Sequence, residues 1–343
     1  MAGLIVTQVA ASGGMQRTLM DRVTLVTQKT TPFLAMLPKG TQNARGLQDE
    51  WPLDDEDDAQ DSAQVDAADA GNSSSGQEKY GIMTNRVQWN RRVAEVSTLS
   101  GFQNQAGIGT SAKEKMAYAI AKKLKGLAKD IEATLSSERE AVAGAVDTAN
   151  KTRGAAKFLT TGQSGAFAVP TQFQIGSGQI YSGTLAAFDE VAFNGLLKAT
   201  WDSGAVEAQQ EYVGLCGSAF KARITSLTAY ASGTNTYATS RHYNADLKSK
   251  IIWSTIDEFR GDFGNVALIP SRWLYHPTFG GSTALNSNSC LGLRIDKWQM
   301  VPLEMNSYMD LPNNGGGERK QISSVWTLRC LNPKANWVAR IAS

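Results

Sequence analysis

GTSAKEKMAYAIAKKLKGLAKDIEATLSSEREAVAG, residues 109–144, places Met116, Ile120, Leu124, Leu127, Ile131 and Leu135 three or four positions apart. That spacing puts all of them on one face of an α-helix. Thr110 or Ser111 is suited to cap its start, and Gly144 lies near its end. Lys113, Lys115, Lys122, Lys123, Lys125 and Lys129, interleaved with Glu114, Asp130, Glu132, Glu138 and Glu140, crowd the remaining surface. The expectation is a long helix lying on something along one stripe, with the charged side chains solvated.

Upstream of this helix, YGIMTNRVQWNRRVAEVSTL starting at Tyr80 sets Ile82, Val87, Trp89, Val93 and Val96 at near-alternate positions, and QDEWPLDD starting at Gln48 reads as a second strand. Between them run Asp54, Asp55, Glu56, Asp57, Asp58, Asp61, Asp66 and Asp69, followed by GNSSSG. A connection of this length is too long for a tight hairpin turn and is out of place inside a compact domain, whereas a protruding arm accommodates it. Earlier still, TTPFLAMLPKG predicts a short helix. Thr31 is placed to cap it, Pro32 sits at the first helical position, and Pro38 and Gly40 stop it. Residues 1–20 are small and polar and read as an extended arm.

Downstream, 145–185 is rich in Gly, Ser, Thr and Ala and reads as loops and short strands. LAAFDEVAFNGLLKATWDSG and SAFKARITSLTAYA predict helices on either side of a strand-like YVGLCGS. KSKIIWSTIDEF, NVALIPSRWLY, LGLRIDKWQMVPL and QISSVWTLRCLNPKANWVARI are β-rich. Helices followed by strands predict an α+β fold instead of βαβ alternation. No period of 20–50 residues recurs, which argues against a solenoid or propeller.

With 343 residues and 42% hydrophobic content the chain has material for two domains or one elaborated domain. A formal charge of +2 gives neither a strongly basic nucleic-acid binder nor an acidic tail. Cys216, Cys290 and Cys330 are widely separated and odd in number, so no disulfide framework or CxxC ligand set is expected, and a reducing assembly compartment is the simplest reading. The first residues lack a signal-peptide pattern, and no run of about 18 apolar residues occurs, so no membrane partner is expected.

Chemistry-bearing motifs are sparse. His242 and His276 sit in no recognisable ligand motif, GIGTSAKEK lacks phosphate-loop spacing, and GSGQIYSG lacks dinucleotide spacing. The acidic run offers oxygen ligands for a divalent cation but has no EF-hand pattern. It reads as a solvated loop or as a tip that meets a basic surface on another subunit. No catalytic residue, cofactor or metal site is assigned.

TTPFLAMLPKG leading to EWPLDD, the strand NRVQWNRRVAEVSTLSG, the helix AKEKMAYAIAKKLKGLAKDIEATLSSE, and the later DFGNVALIPSRWL, LGLRIDKWQM and ERKQISSVWTLRCLNPKANWVARI occur in that order. In this order the sequence resembles the major capsid proteins of tailed bacteriophages with the Hong Kong 97-type fold. The resemblance implies an N-terminal arm (1–46), an E-loop hairpin (47–92), a peripheral domain with a long spine helix (93–185), an axial domain (186–318) and a return strand to the peripheral domain (319–343). It implies a non-enzymatic protein of the virion, assembled in the host bacterial cytoplasm.

Its implied partners are other copies of itself in hexamers and pentamers, a portal, cement or scaffold proteins, and packaged double-stranded DNA contacted non-specifically. An E-loop leaves its own subunit to lie over a neighbour, so Trp51, Ile82, Val87 and Trp89 become candidates for burial between subunits, with Asp54, Asp55, Asp57 and Asp58 at the tip. Lys79 and Asn336 are of the types that some capsid proteins join covalently, without established similarity at those positions. Residues 275–292 have no clear counterpart. The alternatives are an encapsulin-like compartment of the same fold and a soluble divalent-metal-dependent enzyme using the acidic run.

Overall fold

The computed structural model describes residues 30–56, 59, 63, 66, 80–103, 108, 111–206, 210–227, 257–274, 285–313 and 315–341. The chain separates into two compact units. One comprises Met1–Thr30, Arg92–Gly126 and Tyr308–Ile322, and the other Thr31–Arg91, Leu127–Ser307 and Ser323–Ser343. Helices and strands are both plentiful, as the α+β reading expects. Among the described residues no helix is long and apolar enough to cross a membrane.

The larger unit begins with helix α1 (Pro32–Met36), which has proline at its first position and stops at Leu37. Thr31 makes no side-chain cap, contrary to the sequence expectation. The Phe33 and Leu34 amides donate instead to the two carboxylate oxygens of Glu132, at 3.0 and 2.7 Å. These amides belong to the first helical turn, where the backbone has no partner of its own. Glu132 is therefore a cap delivered from nearly a hundred residues away, and it is fully buried. Burial pushes its carboxyl above the ordinary carboxylate value, and the two amide hydrogen bonds hold it down only in part.

Glu132 sits on α3 (Ala112–Leu135), the helix predicted from the apolar stripe. Met116, Leu127, Ile131 and Leu135 are buried as expected, whereas Ile120 and Leu124 are half-buried. Two corrections apply to this helix. Every residue from Ile131 to Ser137 is buried, so its last turn is surrounded, not laid on a surface. It also ends well before Gly144, at Leu135, where side-chain hydroxyls bond the last carbonyls alongside the backbone amides of Ser136 and Ser137. Thr134 donates to the Asp130 carbonyl (2.8 Å), Ser136 to that of Glu132 (3.0 Å) and Ser137 to that of Thr134 (2.7 Å).

This unit also holds a six-stranded mixed sheet in the order β4-β11-β8-β5-β7-β6. It consists of β4 (Ile180–Tyr181), β5 (Gln210–Cys216), β6 (Glu258–Gly261), β7 (Gly264–Pro270), β8 (Cys290–Leu293) and β11 (Trp337–Ala339). Helices α5 (Glu190–Asp202) and α6 (Ser218–Leu227) supply Phe193, Leu196, Leu197, Phe220 and Ile224 to its core cluster, which includes Trp337. Asp189 caps α5 by accepting from the Ala192 amide at 2.8 Å. The Trp337 ring lies edge-on to Phe193, with centroids 5.3 Å apart. It passes so close to Gly292 that a Cβ there would stand 1.9 Å from the ring. The C-terminal segment thus does two things. β10 (Gly317–Cys330) joins β3 (Gln88–Ser97) and β9 (Trp298–Leu311) in a three-stranded sheet ordered β3-β10-β9, and β11 closes into the six-stranded one.

The smaller unit holds the C-terminal part of β3, helix α2 (Thr98–Phe102), the start of α3 and the facing ends of β9 and β10. Ser111 and Glu114 form a reciprocal cap at the start of α3, each side chain bonding the other's backbone amide at 3.2 Å. Lys115, expected at the surface, is only 3% exposed and donates to the carbonyls of Ser100 and Gln103. Gly317 has φ +145°, and a Cβ there would stand 2.1 Å from the Val96 carbonyl oxygen, so only glycine fits.

Candidate assembly surface

Strands β1 (Gln48–Leu53) and β2 (Gly81–Arg86) pair antiparallel, with Trp51 opposite Met83 and Pro52 opposite Ile82. They flank the acidic run, as the sequence predicted. Strict alternation gives this ribbon two faces. Asp49, Trp51, Leu53, Met83 and Asn85 point inward and are buried, while Glu50, Pro52 and Ile82 point outward.

The inner face is anchored to the same chain. Trp51 Nε1 donates to the Cys330 carbonyl at 2.9 Å, and its ring lies 6.5 Å from that of Phe158, which belongs to the short helix α4 (Ala155–Phe158). Phe158 also meets Trp298 edge-on at 5.9 Å, and Trp298 meets Phe33 at 6.5 Å, so one line of aromatic rings runs from the ribbon to α1. Arg329 grips Asp49 through two hydrogen bonds of 2.6 and 2.7 Å. Asn85 Nδ2 donates to the Leu328 carbonyl at 2.7 Å, and its Oδ1 accepts from the amides of Arg86 and Arg153 at 2.8 and 2.9 Å. The Arg153 guanidinium is buried over the Phe158 ring at 4.8 Å and hydrogen-bonds to the Phe167 and Lys157 carbonyls. Burial lowers its pKa to about 10.

Of the predicted interaction residues, Trp51 and Val87 are therefore buried by their own subunit. Val87 packs with Ala44 and Val301. This corrects the expectation that the apolar residues of the hairpin are covered only by a neighbour. The reason is geometric: the stem lies against the body, and only its outer face is open. Ile82 and Trp89 are on the open side, 53% and 55% exposed. The Arg91 guanidinium covers the Trp89 ring at 5.2 Å. Val87 interrupts the strand read from Tyr80, dividing it into β2 and β3. On β3 near this break, Gln88 is buried and Trp89 exposed, the reverse of a core strand. Gln88 is held by Arg139 and by the Thr152 amide (3.1 Å), and Asn90 Oδ1 accepts from Trp326 Nε1 at 3.2 Å.

Asp54 and Asp55 are exposed and line a polar cleft of about 180 Å³ together with Phe173, Ser203 and Lys334. Asp57 and Asp58 lie outside the described residues, as do His242, His276 and Lys79. Among the described residues no three His, Cys, Asp or Glu side chains gather as metal ligands. Asn336 is buried with its amide fully engaged. Its Oδ1 accepts from the Arg294 amide and Trp298 Nε1, each at 2.9 Å, and its Nδ2 donates to the carbonyls of Asn332 and Pro333 at 2.8 and 3.2 Å.

The smaller unit has its own open surface. A groove of about 380 Å³ is lined by Glu95, Tyr118, Lys122 and Lys123 with the buried Lys115 beneath. Leu99, Phe102, Tyr308 and Met309 are between 55% and 82% exposed. Sequence periodicity gave no sign of Asn85, Arg153 or Glu132 as anchors, since each is a single polar residue acting on a distant segment.

A family model described as SU10 major capsid protein matches residues 5–342. No curated protein matches the sequence significantly. Among solved structures, the capsid asymmetric unit of cyanophage A-1(L) is 13% identical with a TM-score of 0.64, covering 98% of this chain and 100% of that chain. A chain of Gordonia phage Cozz is 15% identical with a TM-score of 0.55, covering 98% and 95%. The holo-SrpI encapsulin complex from Synechococcus elongatus is 14% identical with a TM-score of 0.50, covering 98% and 96%. At these identities the structures establish the shared Hong Kong 97-type fold, and the family match separates the capsid reading from the encapsulin one.

Proposed function

The chain belongs to the SU10 major capsid protein family, and from that premise we propose that its copies pack as hexamers and pentamers into an icosahedral phage head that encloses double-stranded DNA. It is a structural protein of the virion, and no catalytic step is assigned to it. Residues 1–46 act as an N-terminal arm, 47–92 as an E-loop, 93–185 as the peripheral domain, 186–318 as the axial domain and 319–343 as the return segment. A portal and scaffold or cement proteins are its further partners, and assembly takes place in the host bacterial cytoplasm.

The observation that carries this reading is the family match, which spans nearly the whole chain. The two-faced ribbon supports the E-loop role. Its inner face is fixed to the body, and its outer face presents Ile82 beside the exposed acids Glu50, Asp54 and Asp55. In the assembled shell those acids meet the lysine-bearing face of a neighbour's α3, where Lys113, Lys122 and Lys125 are exposed. Such contacts are individually weak and salt-sensitive, which suits a shell built from many repeated interfaces.

The test is to isolate particles from the native host and analyse their contents. A phage head holds double-stranded DNA, whereas the encapsulin alternative predicts particles filled with protein cargo and free of DNA. Light scattering across a salt series then reports the electrostatic share of assembly. A dispersed protein under all conditions, with scaffold supplied, counts against shell formation.

A further inference from the structure

Cys216 ends β5 and Cys290 begins β8, and the two are direct partners in the antiparallel register. The Gly217 amide donates to the Ser289 carbonyl at 2.9 Å. A bond between those flanking residues makes Cys216 and Cys290 a non-hydrogen-bonded pair, the class in which opposed Cα atoms stand about 4.5 Å apart and side chains approach most closely on one face. That separation falls inside the roughly 4.4–6.8 Å window of protein disulfides. Both thiols are free and fully buried in the cluster that holds Tyr212, Phe220 and Trp337. Cys330 belongs to β10 in the three-stranded sheet.

We propose that Cys216 and Cys290 are a latent cross-strand disulfide, reduced where the chain is made and oxidised when the particle meets an oxidising medium. The pairing rests on the register of β5 and β8 alone, and the timing rests on the virion reading. The oxidant is a small-molecule disulfide. One cysteine thiolate attacks it, forming a mixed disulfide and releasing one small thiol. The second cysteine thiolate then attacks the protein sulfur and releases the other small thiol. Two protein thiols lose two electrons and two protons, and the small disulfide is reduced to two thiols.

Access lies at the end of the sheet, where Asn286, Ser287 and Asn288 are partly exposed next to the pair. Burial pushes both thiols up, Cys216 to about 11 and Cys290 well above its ordinary value, the latter helped by the adjacent Cys216. The closed sheet is therefore slow to react, and the rate climbs with pH as the thiolate fraction rises. Once formed, the bond closes a long loop between β5 and β8 and raises the midpoint of thermal unfolding.

The experiment treats reduced full-length protein, both as free subunits and as assembled shells, with oxidised glutathione between pH 7 and 9, then measures intact mass and maps peptides without reduction. The proposal expects a loss of 2 Da per chain, a Cys216–Cys290 linked peptide, faster reaction at higher pH and a raised melting temperature. Cys330→Ala should behave identically, and Cys290→Ala should lose the 2 Da change. Three persistent free thiols, glutathione adducts without closure, or a bond to Cys330 each overturn it. Because the wild type and Cys330→Ala carry the readout, a folding failure of Cys290→Ala leaves the test intact. Oxidation in free subunits but not in shells refutes the proposed timing.

Discussion

Replacing Glu132 with alanine removes the carboxylate to which the Phe33 and Leu34 amides donate, at 3.0 and 2.7 Å. A buried donor without a partner costs about 1–3 kcal/mol. Phe33 is fully buried and Leu34 only partly, so the second amide is open to rescue by water. Removing a buried carboxyl group, with its desolvation cost, offsets part of the loss. The net expectation is a destabilisation of about 2–4 kcal/mol. Glu132→Gln keeps one acceptor and costs less.

The carboxyl also predicts a pH signature. Its folded pKa is raised above the unfolded value of 4.5, with burial as the leading cause. The folded state therefore holds this proton more tightly than the unfolded one. Wild type gains stability relative to Glu132→Gln as pH falls through the raised value, and the gain is complete below about 4.5. Urea unfolding of unassembled subunits at several pH values measures both effects, and hydrogen exchange at residues 33 and 34 localises them. A Glu132→Ala variant within about 0.5 kcal/mol of wild type, or a wild-type-to-Gln difference that does not change with pH, would refute the capping account.

Further substitutions test the packing of the subunit and, at Trp89, its assembly. Trp51→Ala loses a buried ring and its bond to the Cys330 carbonyl, and should cost about 3–5 kcal/mol in subunit melts, whereas Trp89→Ala, at an exposed site, should stay within about 0.5 kcal/mol and instead reduce the yield of closed shells by electron microscopy. Asp49→Ala strands Arg329 at a nearly buried site and should cost about 3–5 kcal/mol, while an Asp49→Leu/Arg329→Met double variant should recover most of it in the same denaturation assay. Gly292→Ala forces a Cβ into the Trp337 ring and should lower the thermal midpoint by an amount equivalent to at least about 1–3 kcal/mol.

The long helix and the ribbon flanking the acidic run were legible because periodicity survives in any context. Met116, Leu127, Ile131 and Leu135 are where the stripe places them. Periodicity fails for residues whose partner is remote. Glu132 and Lys115 look like any solvated charge on a helix, yet both are buried because each satisfies backbone groups that the local sequence leaves bare. The same limit explains Trp51 and Val87. Alternation says that a strand has an apolar face, but it does not say whether that face meets the same chain or another.

On the proposed function this chain builds a closed shell in which the outer face of the β1–β2 ribbon, together with Trp89 at the start of β3, lies on a neighbouring copy. Electron cryomicroscopy of shells assembled from the purified protein, with scaffold added where needed, tests it most directly. Icosahedral particles are expected in which Ile82 and Trp89 become buried against a second subunit while Trp51 stays inside its own. Particles in which both outer residues remain in solvent, or a protein that forms no shells at all, would contradict it.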